Sequence, residues 1–130
     1  MPANSWAVTP HLAKNGWGRI INIGGGAVRR TGNYIASVRN AAVSSLTKNL
    51  ADELGPKGIN VVAIRPGTTR AGRMIDPAAE TRRGASVSIG RLVDAIEIAF
   101  LVAFLASPKS VAINGETIAA GGDRLGPINY

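Results

Sequence analysis

The chain of 130 residues contains no cysteine and a single histidine, His11. Without cysteine there is no disulfide, no thiolate zinc site and no cysteine nucleophile. A lone histidine near an expected helix end reads as a surface or satisfied side chain, and no metal-ligating constellation exists, so no metal site is expected. Aromatic residues are scarce: two Trp, two Tyr and two Phe. No basic stretch is interleaved with them, so the net charge of +7 is not read as a nucleic-acid surface. Long apolar runs are missing as well. The longest, "AIEIAFLVAFLA" at residues 95 to 106, contains Glu97 and is too short to span a bilayer. The N-terminus "MPANSWAVTPHLAKNGWG" lacks a basic start followed by an apolar run. A cytoplasmic protein outside the membrane is the resulting expectation.

What is present is a chain with 45% hydrophobic residues, enough for one hydrophobic core in one domain over residues 1–130. Its eleven Arg and four Lys fall mostly in expected loops, among them Arg29, Arg30, Arg65, Arg70, Arg73, Arg82 and Arg83. Arg29, Arg30, Arg70 and Arg73 are expected either to ring a pocket for an anionic small-molecule substrate or to be solvated loop charge.

Two kinds of segment alternate. "GRIINIG", residues 18 to 24, is a short β-branched run between glycines and reads as a buried parallel strand. Residues 34 to 54 read as a helix, with Ala42, Val43, Leu46, Leu50 and Leu54 on one apolar stripe. Gly55 and Pro56 are expected to end it, the glycine as a left-handed cap. "INVVAIRPG", residues 59 to 67, is a second buried strand. Residues 68 to 90 read as a long functional loop with room for a short helix. Residues 91 to 106 read as a helix apolar on most sides, and such helices are usually buried. Ile96, Phe100, Ala103 and Phe104 fall on one stripe of it, a candidate partner surface. "VAINGETIAAGG" supplies a third strand. The order β-α-β-α-β implies a parallel sheet with right-handed crossovers. A ligand is then expected outside the carboxyl ends "NIGGG", "RPGTTR" and "AAGG".

"GRIINIGG", "AAVSSLTKNLADELGPKGINVVAIRPG", "EIAFLVAFLAS" and "INGETIAAGG" stand in order and at familiar spacing. Together they resemble the C-terminal half of the short-chain dehydrogenase/reductase family, from about residue 9 to residue 122. The resemblance implies an α/β fold, the C-terminal half of a Rossmann-like doubly wound parallel sheet. It implies NAD(P)-dependent oxidoreduction of a carbonyl or alcohol, with NAD or NADP as cofactor, and a homo-oligomer in which the helix at 34 to 54 packs against its copy. Pro66, Gly67, Thr68 and Thr69 match the family's turn over the nicotinamide, while Ala71 stands where the family has threonine. No counterpart of the family's glycine-rich pyrophosphate turn is present: "GGGAVRR" aligns with the catalytic-serine loop. The chain is therefore expected to be a partial domain from a longer frame, and "RIINI" is expected to lie at an unpaired, apolar sheet edge.

The family's catalytic set is Ser, Tyr and Lys, the last two four residues apart on one helix face. An ammonium there favours phenolate. Anchoring on "AAVSSLTKNLADEL" places Ala36 at the tyrosine position and Asn40 at the lysine position. Anchoring on Tyr34 places Val38 at the lysine position and needs two extra residues inside the helix. The serine position falls on Gly24 or Gly25. The candidate site residues are thus Tyr34, Arg39 and Asn40. Tyr34 is either an acid or a packing tyrosine. Arg39 is either a fixed charge for a ribose or carboxylate, unable to relay a proton, or a surface arginine. Asn40 is either a hydrogen-bonding group for a ribose hydroxyl or a polar helix residue. Ser37 reads as a capping or packing serine. The resulting expectation is an oxidoreductase of this type whose catalysis is degenerate, or else a non-catalytic relative acting through oligomerisation or ligand binding.

Overall fold

The structure, a computed structural model, describes residues 2–26, 31–70, 72, 76–122 and 124–126, with side chains from residue 7 onward. Ala27, Val28, Arg29, Arg30, Ala71 and Arg73 therefore lie outside the described residues. Helix α1 (Pro2–Asn15) leads into β1 (Gly18–Ile23), α2 (Tyr34–Leu54) and β2 (Ile59–Pro66). After β2 come β3 (Thr69–Arg70), α3 (Pro77–Gly84), β4 (Val93–Asp94), α4 (Ala95–Ala106) and β5 (Thr117–Ala120). The main sheet is β1-β2-β5, parallel throughout, with Gly18 opposite Ile59 and Ala63 opposite Thr117. The expected β-α-β-α-β order stands, extended by α1, α3 and the two-residue β3–β4 pair.

Asn33 starts α2. Its side-chain Oδ1 accepts the Ala36 N–H at 3.0 Å, which satisfies one of the orphan donors of the first turn. Ser37 Oγ donates to the Asn33 carbonyl, so Ser37 serves the cap. The buried line of α2 is Asn40, Thr47, Leu50, Ala51 and Leu54. Ala42, expected on that line, is exposed, because a helix turns about 200° in two residues and carries it away from Asn40. The expected left-handed cap at Gly55 is also corrected. Gly55 is right-handed and opens a short 3-10 turn with Pro56, whose fixed φ suits a first helical position. The left-handed residue is Gly58, at φ 78°.

The third strand is shorter than "VAINGETIAAGG". Residues 111 to 114 are held by side chains instead: Asn60 Nδ2 donates to the Val111 and Ile113 carbonyls at 2.8 and 3.0 Å, and Asn114 Oδ1 accepts from the Val61 N–H at 2.8 Å. Helix α4 begins at Ala95, four residues later than expected. The Glu97 carboxylate reaches back to the Asp94 N–H at 2.8 Å, and this closure defines the first turn. Residues 68 to 90 are not one loop, since α3 is started by Asp76, which accepts the Ala79 N–H at 3.1 Å, and by Pro77.

Two apolar clusters sandwich the sheet. Ile20, Ile59 and Val61 pack with Leu50, Ala51 and Leu54 of α2 on one face. Val62 and Ile64 pack with Ile98, Leu101, Val102 and Leu105 of α4 on the other. The expectation that α4 is buried on most sides is overturned. Ile96 is 59% exposed and Phe100 66%, because a helix lying on a sheet turns only one stripe inward. Among the described residues no helix is long and apolar enough to cross a membrane.

Arg91 grips Glu97 with both arms, at 2.8 and 2.6 Å. This hydrogen-bonded pair, with the Asp94 N–H, lowers the Glu97 carboxyl from 4.5 to about 2. Its pKa is depressed on folding, so its contribution is complete above the ordinary carboxylate range and is lost as pH falls toward 2. A carbon-detected NMR titration should place the Glu97 midpoint near 2, and Arg91→Gln should move it up toward 4.5. At Gly58 a Cβ would overlap the Gly16 carbonyl and the φ is left-handed. Gly58→Ala should cost more than about 1 kcal/mol in a urea melt.

Candidate active-site cleft

The carboxyl ends of β1 and β2 lie side by side, joined where the Gly24 N–H donates to the Ile64 carbonyl at 2.8 Å. Here a shallow cleft opens. Gly24 and Gly25 form one wall, Asn40, Val43 and Ser44 of α2 another, and Ala63, Ile64, Arg65 and Thr117 the floor and far side. Parallel sheets place ligands at this end because the loops there diverge and strand-end backbone groups are free to point outward.

Asn40 is the polar centre of the cleft. It is 6% exposed. A Cβ built on Gly25 would lie 3.4 Å from its Nδ2 and 3.5 Å from its Oδ1, so the edge of the amide faces the glycine loop. Among the described residues no hydrogen-bond partner meets that amide. Its polar atoms are not buried without a partner, so they reach the solvent of the cleft, where a ligand or water can meet them. Beneath it two hydroxyl chains tie α2 to the sheet. Thr117 Oγ1 bonds Ser44 Oγ at 3.2 Å, and Ser44 Oγ donates to the Asn40 carbonyl at 3.4 Å. Asn22 Nδ2 donates to Thr47 Oγ1 at 3.0 Å, and Thr47 Oγ1 donates to the Val43 carbonyl at 2.8 Å.

The other candidates are spread apart. Tyr34 is the first residue of α2 and 80% exposed. Arg39 is exposed, and Val38 is 69% exposed. Helical geometry explains the separation. Ala36 and Asn40 differ by about 40° around the axis, whereas Tyr34 and Asn40 differ by about 120° and about 9 Å along it. The cleft therefore gathers Gly24, Gly25 and Asn40 and leaves Tyr34 and Arg39 outside.

Pro66, Gly67, Thr68 and Thr69 continue β2 past the cleft. Gly67 passes so close to the segment just after β5 that a Cβ would sit 2.7 Å from the Gly121 Cα. Thr69 Oγ1 donates to the Gly67 carbonyl at 3.2 Å, then Thr69 pairs with Val93. Arg70, expected at the pocket rim, has its fork committed to Asp94 at 2.9 Å and to Glu80. Arg65, near the end of β2, is among the residues that line the cleft. Sequence reading passed over Ser44, Thr47, Thr117 and Asn22. The last carried a signal, a lone polar residue inside the apolar run "RIINI".

The glycines differ in what they tolerate. Gly25→Ser places its Cβ at ordinary contact distance from Asn40, so it should leave the melting temperature within about 2 °C. Gly67→Ala collides with backbone, which has nowhere to move, and should lower stability by about 1–3 kcal/mol in denaturant titrations.

With this geometry in hand, comparison with known proteins is specific. A family model described as Enoyl-(Acyl carrier protein) reductase matches residues 3–122. The short-chain reductase protein NovJ of Streptomyces niveus is 37% identical over 131 residues, covering 92% of this chain and 50% of NovJ. The 3-oxoacyl-(acyl-carrier-protein) reductase FabG of Vibrio cholerae is 37% identical over 122 residues, covering 91% of this chain and 50% of FabG. The crystal structure of a 3-oxoacyl-(acyl-carrier-protein) reductase with bound NAD from Brucella melitensis superposes with a TM-score of 0.83 at 25% identity, covering 95% of this chain and 47% of that one. The chain thus spans about half the length of the relatives it matches. The glycine-lined end of a parallel sheet, the crossover helix and a match across nearly the whole chain agree: the protein belongs to the short-chain dehydrogenase/reductase family.

Proposed function

We propose that this chain is the nicotinamide-side part of a short-chain dehydrogenase/reductase-type NAD(P)-dependent oxidoreductase of carbonyls and alcohols, with its proton relay lost. The observation that carries the reading is the buried Asn40 amide facing Gly25 in the strand-end cleft, while Tyr34 stands 80% exposed outside it. The described residues fit one end of a nicotinamide dinucleotide. Asn40 offers a donor and an acceptor suited to a ribose hydroxyl, the glycine wall permits close approach, and the Pro66–Thr69 turn offers backbone groups beside it. When bound, NAD or NADP supplies the hydride-transfer chemistry.

The chain's own groups hold and orient but do not move a proton. Among the described lining residues, no side chain titrates near neutral pH. The Ser44 and Thr117 hydroxyls are engaged with each other, and Ser44 with the Asn40 carbonyl. Asn40 has no charge with which to favour a phenolate, and Ala36 no phenol to ionise. General acid–base help of about 10²–10⁴-fold is therefore missing. The exposed Ile35 and Val38 on α2 support a homo-oligomer. A second reading, a non-catalytic member acting through association or ligand binding, is favoured by the bare Phe100 face of α4.

Cofactor binding followed by NADH and NADPH fluorescence should show perturbation of the Asn40 side-chain amide by NMR in the same titration. Carbonyl turnover should be at least about a hundredfold below that of the Vibrio cholerae FabG and unchanged by Tyr34→Phe. Gly25→Ser, Ala36→Tyr and Asn40→Lys combined should raise it by about a hundredfold. Loss of turnover in Tyr34→Phe would overturn the lost-relay reading. Absence of binding to either cofactor at millimolar concentration would favour the non-catalytic one.

A further inference from the structure

Nine asparagines stand in the chain, and two of them are followed by glycine: Asn15–Gly16 and Asn114–Gly115. In such a pair the glycine amide nitrogen can attack the side-chain carbonyl carbon of the asparagine, because glycine has no Cβ to shield the nitrogen or restrict its approach. The attack forms a Cγ–N bond and breaks the Cγ–Nδ2 bond. The attacking nitrogen gives up its proton, the side-chain amine departs as ammonia, and a cyclic succinimide remains. Water then opens the ring at either carbonyl and leaves an aspartate or an isoaspartate.

The two pairs begin alike. Both glycines are left-handed, Gly16 at φ 63° and Gly115 at φ 76°. Asn15 and Asn114 are both exposed, so access of water does not separate them. The hold on the reacting atoms does. Asn15 is the last residue of α1, and the Gly16 N–H donates to the Ala13 carbonyl at 3.1 Å across a single turn. Among the described residues no hydrogen bond holds the Asn15 side-chain amide. Helix ends of this kind open at a free-energy cost near zero.

Asn114 is clamped instead. Its Oδ1 accepts the Val61 N–H at 2.8 Å, and its Nδ2 donates to the Ala51 carbonyl at 3.4 Å. The Gly115 nitrogen, which would attack, donates to the Val61 carbonyl at 2.8 Å. Val61 and Ala51 are buried. Electrophile and nucleophile are thus tied to one residue of β2, the middle strand of the main sheet. Freeing them means opening that strand, and the opening of core strands costs nearly the full unfolding free energy.

We propose that Asn15–Gly16 is a site of spontaneous deamidation in the folded chain, and that β2 keeps Asn114–Gly115 intact until the sheet opens. The Gly16 carbonyl lies so close to Gly58 that a Cβ there would sit 2.0 Å from it. An isoaspartate at position 15 puts an additional main-chain carbon just before that contact. Either product brings a carboxylate to the C-terminal end of α1, where the helix dipole is negative. The turn from α1 to β1 is therefore where the folded chain ages first. At position 114 either product loses the donor to the Ala51 carbonyl, so a chain that reacts while open does not recover its clamp.

The test incubates the full chain at mildly alkaline pH, in buffer and in urea. Both sites are followed by peptide mapping with mass spectrometry, and β2 amide exchange on the same samples reports that the chains in buffer are folded. In buffer, Asn15 should convert at least about tenfold faster than Asn114. In urea the two rates should agree within about threefold, since both dipeptides are then in open chain. Ile64→Val, within β2 and away from the Gly16 turn, should speed conversion of Asn114 by about threefold or more and leave that of Asn15 within about twofold. Equal rates at the two sites in chains whose β2 amides stay protected would overturn the proposal. So would an Asn15 that stays intact in buffer while the urea sample converts, or an Asn114 rate unmoved by Ile64→Val.

Discussion

Everything at the cleft depends on how α2 is clasped to β1 and β2. The clasp is mostly apolar, with Leu50, Ala51 and Leu54 against Ile20, Ile59 and Val61. Apolar contact alone leaves a helix free to roll by some degrees. The buried hydrogen bond from Asn22 to Thr47 removes that freedom, because a roll would strand both polar groups away from water. Asn40, Thr47 and Leu54 are seven residues apart, a spacing that drifts only about 20° per step around a helix. The interaction that holds Thr47 therefore also aims Asn40 at Gly24 and Gly25.

The opposite side of the cleft is set by another kind of constraint. Among the described residues between 69 and 97, Leu92 and Val93 are buried, and the elements around them are linked by charge. Arg70 joins Asp94 and Glu80, and Arg91 joins Glu97, so β3, α3 and the start of α4 are linked end to end. These pairs are partly exposed and each is worth little by itself. They share the first turn of α4, beside the buried Leu92 and Val93. Their geometry also removes Arg70 from service as a ligand-binding charge.

Much of the fold was legible in the chain itself. "GRIINIG" and "INVVAIRPG" were readable as strands because buried parallel strands need unbroken β-branched runs. The helix from Tyr34 was readable because its apolar and small residues recur with helical period. The misplacements share one cause. Ala42, the left-handed cap and the start of "VAINGETIAAGG" were each decided by a partner distant in sequence: the Asn22–Thr47 bond, the Gly16 loop against Gly58, and the Asn60 bonds to residues 111 and 113. In the cleft, Asn40 was marked by register on the helix and Arg65 by its place at a strand end, whereas Ser44 and Thr117 carried no local mark.

By itself, then, the sequence determined which segments are the main strands and helices and that the strands run parallel. Only the tertiary structure decided which side of α2 meets the sheet, and so that Asn40 enters the cleft while Tyr34 faces water. It decided likewise that one stripe of α4 and one edge of β1 remain bare. The reason is physical: periodicity records that a face is apolar, but the rotation of that face, and what lies across from it, is set by hydrogen bonds and contacts between residues far apart in the chain.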